Sequence, residues 1–295
     1  MVSRSASDKR AALAAAIAGE TLVIAPGVYD MISARLADRL GFPALYLSGY
    51  GVAASHLGVA DAGLASFADV VERARVLAGG TETPLICDAD TGFGGLLNVS
   101  YTVRGLEAAG CAAIQLEDQQ TPKRCGLTHG VRVVPVEDMI RKIDVALEAR
   151  ADPTLLLIAR TDAHGSLGLD AAIERGARYA RAGADVIFVQ GIASEDDLRA
   201  VAGRVERPCI VNITTPSGLG SLAPERLRAL GCRIAIHPGL AMLAATAAMS
   251  AAYATLRRDG SLASLEQGLY DREAMHRLMG FEEIWAFEER WGDTD

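Results

Sequence analysis

Aromatic residues are scarce in this sequence: 5 % of its 295 residues are Phe, Trp or Tyr, although half are hydrophobic. The core must therefore be packed mainly from Ala, Val, Ile and Leu, which suits a parallel sheet buried on both faces. Positive charge is short as well. Against 37 Asp and Glu stand 29 Lys and Arg, a formal net charge of -8. Neither nucleic acid nor an anionic membrane surface attracts such a protein. A small anionic substrate is not excluded, because one bound cation inverts the sign locally. The five cysteines (Cys87, Cys111, Cys125, Cys209 and Cys232) are odd in number and lack CxxC spacing. A disulfide framework or zinc cluster is thereby disfavoured and a cytoplasmic, reducing location expected. Four of them sit in apolar strand-like or helix-end segments and read as small buried hydrophobes. Cys125, beside Arg124, is the exception.

Long hydrophobic runs are missing. The Ala-rich N-terminus is interrupted by Lys9, Arg10 and Glu20, so it reads as an amphipathic helix, and no other segment approaches a membrane span. No GxGxxG turn follows an early strand, and TGFGG from Thr91 is only a glycine-rich loop. Nor is there a low-complexity linker, so residues 1–295 read as a single domain, with 260–295 a C-terminal helical extension.

What is present is alternation. Brief apolar runs begin at Thr21, Ala44, Pro84, Ala112, Thr154, Asp185, Pro208 and Arg233, separated by helix-period segments that often end in glycine. Eight βα units in this length predict an α/β fold of the closed (β/α)8 type rather than an open doubly wound sheet.

The active site of such a barrel lies where the strands end. Those ends carry Tyr29-Asp30, Ser48-Gly49-Tyr50, Asp88-Ala89-Asp90, Glu117-Asp118, Arg160-Thr161-Asp162, Gln190, Asn212 with Thr214, and His237. Asp88, Asp90 and Glu117 come from adjacent strands. Unpaired, they would hold protons or bind a cation, and all-oxygen donors suit Mg²⁺, with Mn²⁺ as a substitute. An ion-pair network with Arg160 and Lys123 capping the barrel mouth is the alternative. Arg160 follows a wholly apolar run, so its guanidinium reaches the mouth, where a planar fork can grip a substrate carboxylate. Residues 119–135 form a polar segment too long for an ordinary βα connection, as lids are. It carries Lys123, Cys125 and Gly126, and neighbouring positive charge favours a reactive thiol.

Together these pieces resemble the isocitrate lyase/phosphoenolpyruvate mutase superfamily, from about Pro26 to about Gly260. The motifs are DADTGFG, QLEDQ, PKRCG, ARTDA and VNIT. The resemblance implies that Asp90 ligates Mg²⁺ while Asp61, Asp88 and Glu117 hold its waters. Ser48 and Gly49 would receive the carboxylate of a 2-oxo acid, with Arg160 near the reacting oxygens and Asn212 on the second part of the substrate. Tyr46, Tyr50, Gly126, Gln190 and Thr214 complete the expected substrate contacts. Cys125, supported by Lys123, matches the lid cysteine that protonates the carbanion left when the lyases break a carbon–carbon bond. Glu117, Lys123, Cys125 and Arg160 are thus the expected catalytic groups.

Cleavage of a 2-hydroxy acid needs the hydroxyl proton removed and an acid for the departing carbanion, with water kept out. KRCG points to the lyase branch, but Leu127 stands where those enzymes have His, and Gln190 where they have Glu. With Tyr50 at a position that is Gly in methylisocitrate lyases, an alkylmalate or dimethylmalate is expected, 2-methylisocitrate second. The alternatives are oxaloacetate decarboxylation or hydrolysis, and phosphonomutation. The resemblance also implies a homotetramer, a dimer of dimers that swap C-terminal helices. The sequence supports that only through Phe281, Ile284, Trp285 and Phe287. His129 in the lid and His237 are the remaining histidines near the mouth; neither is assigned a role.

Overall fold

A computed structural model describes residues 4–126, 128–214, 218–265 and 268–292. Eight parallel strands close into a barrel in chain order. They are β1 (Val23–Val28), β2 (Leu45–Leu47), β3 (Leu85–Asp88), β4 (Ala113–Glu117), β5 (Leu156–Thr161), β6 (Val186–Val189), β7 (Cys209–Asn212) and β8 (Cys232–His237). Each expected apolar run contains one of them, and β1 closes on β8 with Val23 opposite Ile234.

Side chains along a strand alternate between the barrel interior and the helix-covered outside. The interior columns begin apolar: Tyr46, Ile86, Ala113, Ile158, Phe188, Ile210 and Ile234 form one buried cluster. Two residues further along β3 comes Asp88, and along β4 come Gln115 and Glu117. The same step reaches Arg160 on β5 and Asp162 just past it, Gln190 just past β6, and Asn212 at the end of β7. The period of two thus carries the interior columns of β3 to β7 from an apolar bottom to a polar mouth. The outer faces pack a larger cluster of Ala, Val, Leu and Ile against the helices.

The N-terminal helix Ala6–Ala18 packs Leu13 and Ile17 against the interior cluster, plugging the end opposite the polar columns. Its two basic residues are not on a solvated face as an amphipathic helix would place them. Lys9 and Arg10 are 5 % and 6 % exposed. Lys9 Nζ donates to Ala78 O and Thr81 O, and Arg10 donates to Cys111 O, Glu107 O and the Asp152 carboxylate. Backbone carbonyls near the helix ends and strand starts accept these cations, so their burial is tolerated.

The chain divides into two compact units, Met1–Ala241 and Met242–Asp295. Within the second, Phe281 and Trp285 cluster with His276, with ring centroids 4.7 to 6.3 Å apart, and Ile284, Trp285, Phe287 and Trp291 are about half exposed or more. Helix Leu240–Asp259 corrects one expectation. It has 20 residues and an 18-residue window of mean hydropathy 1.2, long and apolar enough to cross a membrane by length and composition. The scattered Ala, Thr and Ser of this stretch hide that length from a reading that looks for unbroken large hydrophobes.

Candidate active site

The mouth is built on the register of β3, β4 and β5. Asp88 lies opposite Gln115, and Glu117 opposite Arg160, so four polar side chains of neighbouring strands enter one space. Asp88, Asp90, Glu117 and Arg160 are all less than a tenth exposed. Asp90 adopts φ +48, a left-handed conformation that costs a non-glycine residue energy and is kept where surroundings enforce it. They do so here: its amide donates to Asp88 Oδ1 at 3.2 Å and its carbonyl accepts from Glu117 N at 2.9 Å. The turn aims the carboxylate back over the barrel.

Burial, with Asp88 beside it, pushes Asp90 up to about 7, against the pull of Lys123. Burial likewise raises Glu117 well above the usual carboxylate range, opposed by Arg160. For Lys123 burial works downward, but Asp90, Asp88, Glu117 and Asp61 overcome it and hold the ammonium charged. Lys123 Nζ binds the Asp61 carboxylate and lies 2.8 Å from Asp90 Oδ1. The ion-pair network is therefore present, with a lid lysine inserted among the acids.

Glu117 Oε1 is nevertheless buried without a hydrogen bond from the described residues, and Asp90 Oδ1 has the Lys123 ammonium at 2.8 Å but no aligned donor. Such oxygens call for a further partner. Among the described residues no three ligating side chains stand close enough to cage a metal directly. A hard cation that keeps most of its waters fits these oxygens, whereas a zinc-type cage does not.

Arg160 is held differently from the expectation of a substrate fork. Its Nε and Nη2 donate to the two oxygens of Asp162, at 2.9 and 2.7 Å, and Nη1 faces Glu117 Oε2 at 3.3 Å. The guanidinium stacks over Phe188, 5.3 Å from the ring centroid. The bidentate edge belongs to Asp162, which leaves the Nη1 side toward the mouth.

The described residues of 119–135 fold back so that the two ends of the segment pair. The base is closed by Gln120 N to Arg132 O and Val134 N to Asp118 O, both 2.8 Å. The Gln119 side chain clamps Arg124 N and O, each at 2.9 Å. Cys125 N donates to Asp61 O at 3.1 Å, and the thiol is part exposed while the other four cysteines are buried. Gly126 lies so close that a Cβ there would stand 2.1 Å from Arg160 Nη2 and 2.5 Å from Asp162 Oδ1. Leu127 lies outside the described residues. His129 is exposed, and its carbonyl accepts from Arg124 Nη1 at 3.2 Å.

The other expected contacts divide. Ser48 is buried; its amide donates to Val28 O, and its hydroxyl oxygen accepts from Gly51 N, which leaves the O–H to donate. A Cβ on Gly49 would come 3.2 Å from Asp88 Oδ2 and Asp90 Oδ1, so this backbone lines the acids. Gln190 and Asn212 pair at the opposite rim, Nδ2 to Oε1 at 3.3 Å, with Asn212 Oδ1 buried and unpartnered among the described residues. Tyr50 is 45 % exposed at the rim, whereas Tyr46 is 2 % exposed, inside the barrel. Thr214 is half-buried and follows Asn212 out of β7. Asp30 accepts from Ser33 N as a helix cap, and burial lowers the His237 pKa at the end of β8.

The sequence reading passed over Gln115, and it placed Asp118 and Asp162 at the strand ends without giving either a role. Gln115 joins Asp88 to Tyr46. Asp118, fully buried, accepts from Thr161 Oγ1, Asp162 N, Arg175 Nη1 and Tyr179 Oη. A polar residue two places before Glu117 in an otherwise apolar strand was the available signal for the first.

A cluster of buried carboxylates at the C-terminal mouth of a closed parallel barrel defines a (β/α)8-barrel enzyme. The chain belongs to the phosphoenolpyruvate mutase/isocitrate lyase superfamily: the family profile described as phosphoenolpyruvate phosphomutase matches residues 13–257. It is 38 % identical to the 2,3-dimethylmalate lyase of Eubacterium barkeri over 92 % of this chain and 93 % of that protein. It is 39 % identical to the 2-methylisocitrate lyase of Aeropyrum pernix, over 88 % and 83 % of the two chains. Among solved structures, oxaloacetate acetylhydrolase with 3,3-difluorooxalacetate superposes with TM-score 0.90 at 32 % identity, covering 98 % of each chain.

Proposed function

We propose that the protein is a Mg²⁺-dependent carbon–carbon lyase that splits a small 2-hydroxy dicarboxylate, of the alkylmalate or dimethylmalate kind, into a 2-oxo acid and a second carboxylate. The observation that carries this reading is the seating of Cys125. Its amide is bonded to Asp61 O, and its neighbours Lys123 and Gly126 touch Asp61, Asp90 and Arg160. The thiol is thereby brought to the rim of the acid cluster by a lid. The relatives that share most of this chain's length are named as lyases.

Asp90 would hold the metal, with Asp61, Asp88 and Glu117 holding its waters. When bound, the cation supplies charge stabilisation for oxygens that become negative as the bond breaks. The chain's own groups do the rest. The Ser48 hydroxyl and the Gly49 backbone orient one carboxylate of the substrate. Arg160 Nη1, fixed by Asp162 and Phe188, offers positive charge beside Glu117. Glu117, whose buried carboxyl readily keeps a proton, is suited to exchange one with the substrate hydroxyl. Gln190 and Asn212 face the distal half with neutral amides, and the orphaned Asn212 Oδ1 asks for a donor there. Cys125 delivers a proton to the carbanion while the lid excludes water.

We place the enzyme in a reducing cytoplasm, on the five cysteines without a disulfide. We also propose a homo-oligomer, a tetramer of helix-swapped pairs with 260–295 as the exchanged extension, on the exposed aromatic residues of the last helix.

A second reading, hydrolysis of oxaloacetate, is favoured by the likeness to oxaloacetate acetylhydrolase. The test is release of pyruvate, glyoxylate or oxalate with Mg²⁺ from 2-methylmalate, 2,3-dimethylmalate, 2-methylisocitrate, isocitrate and oxaloacetate. A lyase turns over a hydroxy acid and loses about 10²-fold or more as Cys125→Ser, the usual loss of a general acid. Turnover of oxaloacetate alone, indifferent to that substitution, overturns the lyase reading.

A further inference from the structure

We infer that Asp162 is a positioning residue that couples the orientation of Arg160 to closure of the lid. It rests on residues 119–135 acting as a lid, not on which bond the enzyme breaks. Asp162 takes Nε and Nη2 of Arg160, the two donors that would otherwise grip a ligand, and leaves Nη1 toward Glu117. The flat pair so formed is also the surface the lid lands on. Gly126 approaches both members so closely that a Cβ would stand 2.1 Å from Arg160 Nη2 and 2.5 Å from Asp162 Oδ1.

Asp162 is itself fixed from behind: its amide donates to Asp118 Oδ1 at 2.9 Å. Asp118 also receives Arg175 Nη1, which donates at 2.9 Å to Val134 O, the far hinge of the same lid. One buried network therefore holds the landing surface and the hinge in register. Without the Asp162 carboxylate the guanidinium regains rotational freedom, its Nη2 edge lifts into the path of Gly126, and the lid no longer seats. Cys125, the residue before Gly126 and part exposed when the segment is seated, then becomes more accessible.

The packing supplies a reporter. Cys87, Cys111 and Cys232 are fully buried and Cys209 is 1 % exposed, so a thiol reagent meets Cys125 first. The experiment is iodoacetamide labelling of the full-length protein without substrate, followed by intact mass. Rates are taken on the high-pH plateau, where access and not thiol ionisation sets them. Asp162→Asn is expected to label about tenfold faster than wild type, with one adduct only, as local opening without a charge-assisted anchor predicts. Gly126→Ala should accelerate labelling similarly from the other side of the contact.

A folded Asp162→Asn protein that labels at the wild-type rate overturns the inference. So does one that takes several adducts, because general loosening exposes the buried thiols as well. Should Asp162→Asn not fold, Asp162→Glu keeps the charge, displaces it by one methylene and carries the same outcomes. Failure of lyase activity in the wild type leaves these rates untouched, so the two readings fail separately.

Discussion

Gln115 Nε2 donates to Asp88 Oδ1 at 3.1 Å, while its Oε1 accepts from the Tyr46 hydroxyl at the same distance. A fully buried amide thus fixes which oxygen of Asp88 is spoken for and which faces the mouth. Groups that orient the partners of a metal commonly govern its affinity about 10- to 100-fold. Gln115→Leu, which fills the space but donates nothing, is expected to weaken Mg²⁺ binding about tenfold by titration calorimetry. Unchanged affinity would remove Asp88 from the metal's surroundings.

The buried carboxylates of Asp90 and Glu117 make a second expectation. Mg²⁺ at about a hundred times its Kd should stabilise the wild-type protein by about 2.7 kcal/mol, seen as a rise in Tm that EDTA reverses. Asp90→Asn should abolish the rise, and Glu117→Gln should diminish it. A Tm shift that survives Asp90→Asn would place the cation elsewhere.

Tyr179 tests the network behind the mouth. Its hydroxyl donates to Asp118 Oδ2 at 2.8 Å and accepts from Arg175 at 3.2 Å, and burial is the main cause raising its pKa, with Asp118 next. Tyr179→Phe keeps the ring and removes those bonds. The expected loss is about 1–3 kcal/mol in urea unfolding, since Asp118 stays buried with one donor fewer. A loss below about 0.5 kcal/mol would mean that Arg175 and Thr161 satisfy Asp118 alone.

Acid should loosen the plugged end of the barrel. Hydrogen bonds from Thr154, then from Arg10, lower Asp152 to about 2. A carboxylate depressed in the folded state stabilises above its unfolded pKa, near 3.8, and that contribution fades as pH falls toward about 2. Asp152→Asn should therefore flatten part of the acid limb of the Tm-versus-pH curve between about pH 4 and 2 and leave its shape near neutrality unchanged. Identical acid limbs for variant and wild type would refute this.

Local sequence accounts for much of this molecule, because its signals are local. Short apolar runs bounded by glycine and polar residues are what doubly covered parallel strands require, and eight of them leave little besides a barrel. Strand ends then follow, so Asp88, Asp90, Glu117, Arg160, Gln190 and Asn212 could be placed at one mouth without coordinates. That a long polar segment leaves β4 was legible from its length and polarity.

Other features depend on partners distant in sequence. That Arg160 spends its fork on Asp162 is a matter of rotamer and packing over Phe188, which spacing along β5 does not encode. Lys9 and Arg10 look like surface charges until carbonyls some 70 to 100 residues away accept them. The Gly126 contact joins the lid to two residues of another strand, and the φ of Asp90 is enforced by β4.

The sequence by itself determined the barrel, the end of it that carries the acids, and the family, since periodicity and contiguous motifs need no folding to be read. Only the tertiary structure decided which oxygen meets which donor, because hydrogen-bond partnership is a property of directions and distances between elements, and those exist only once the barrel has closed.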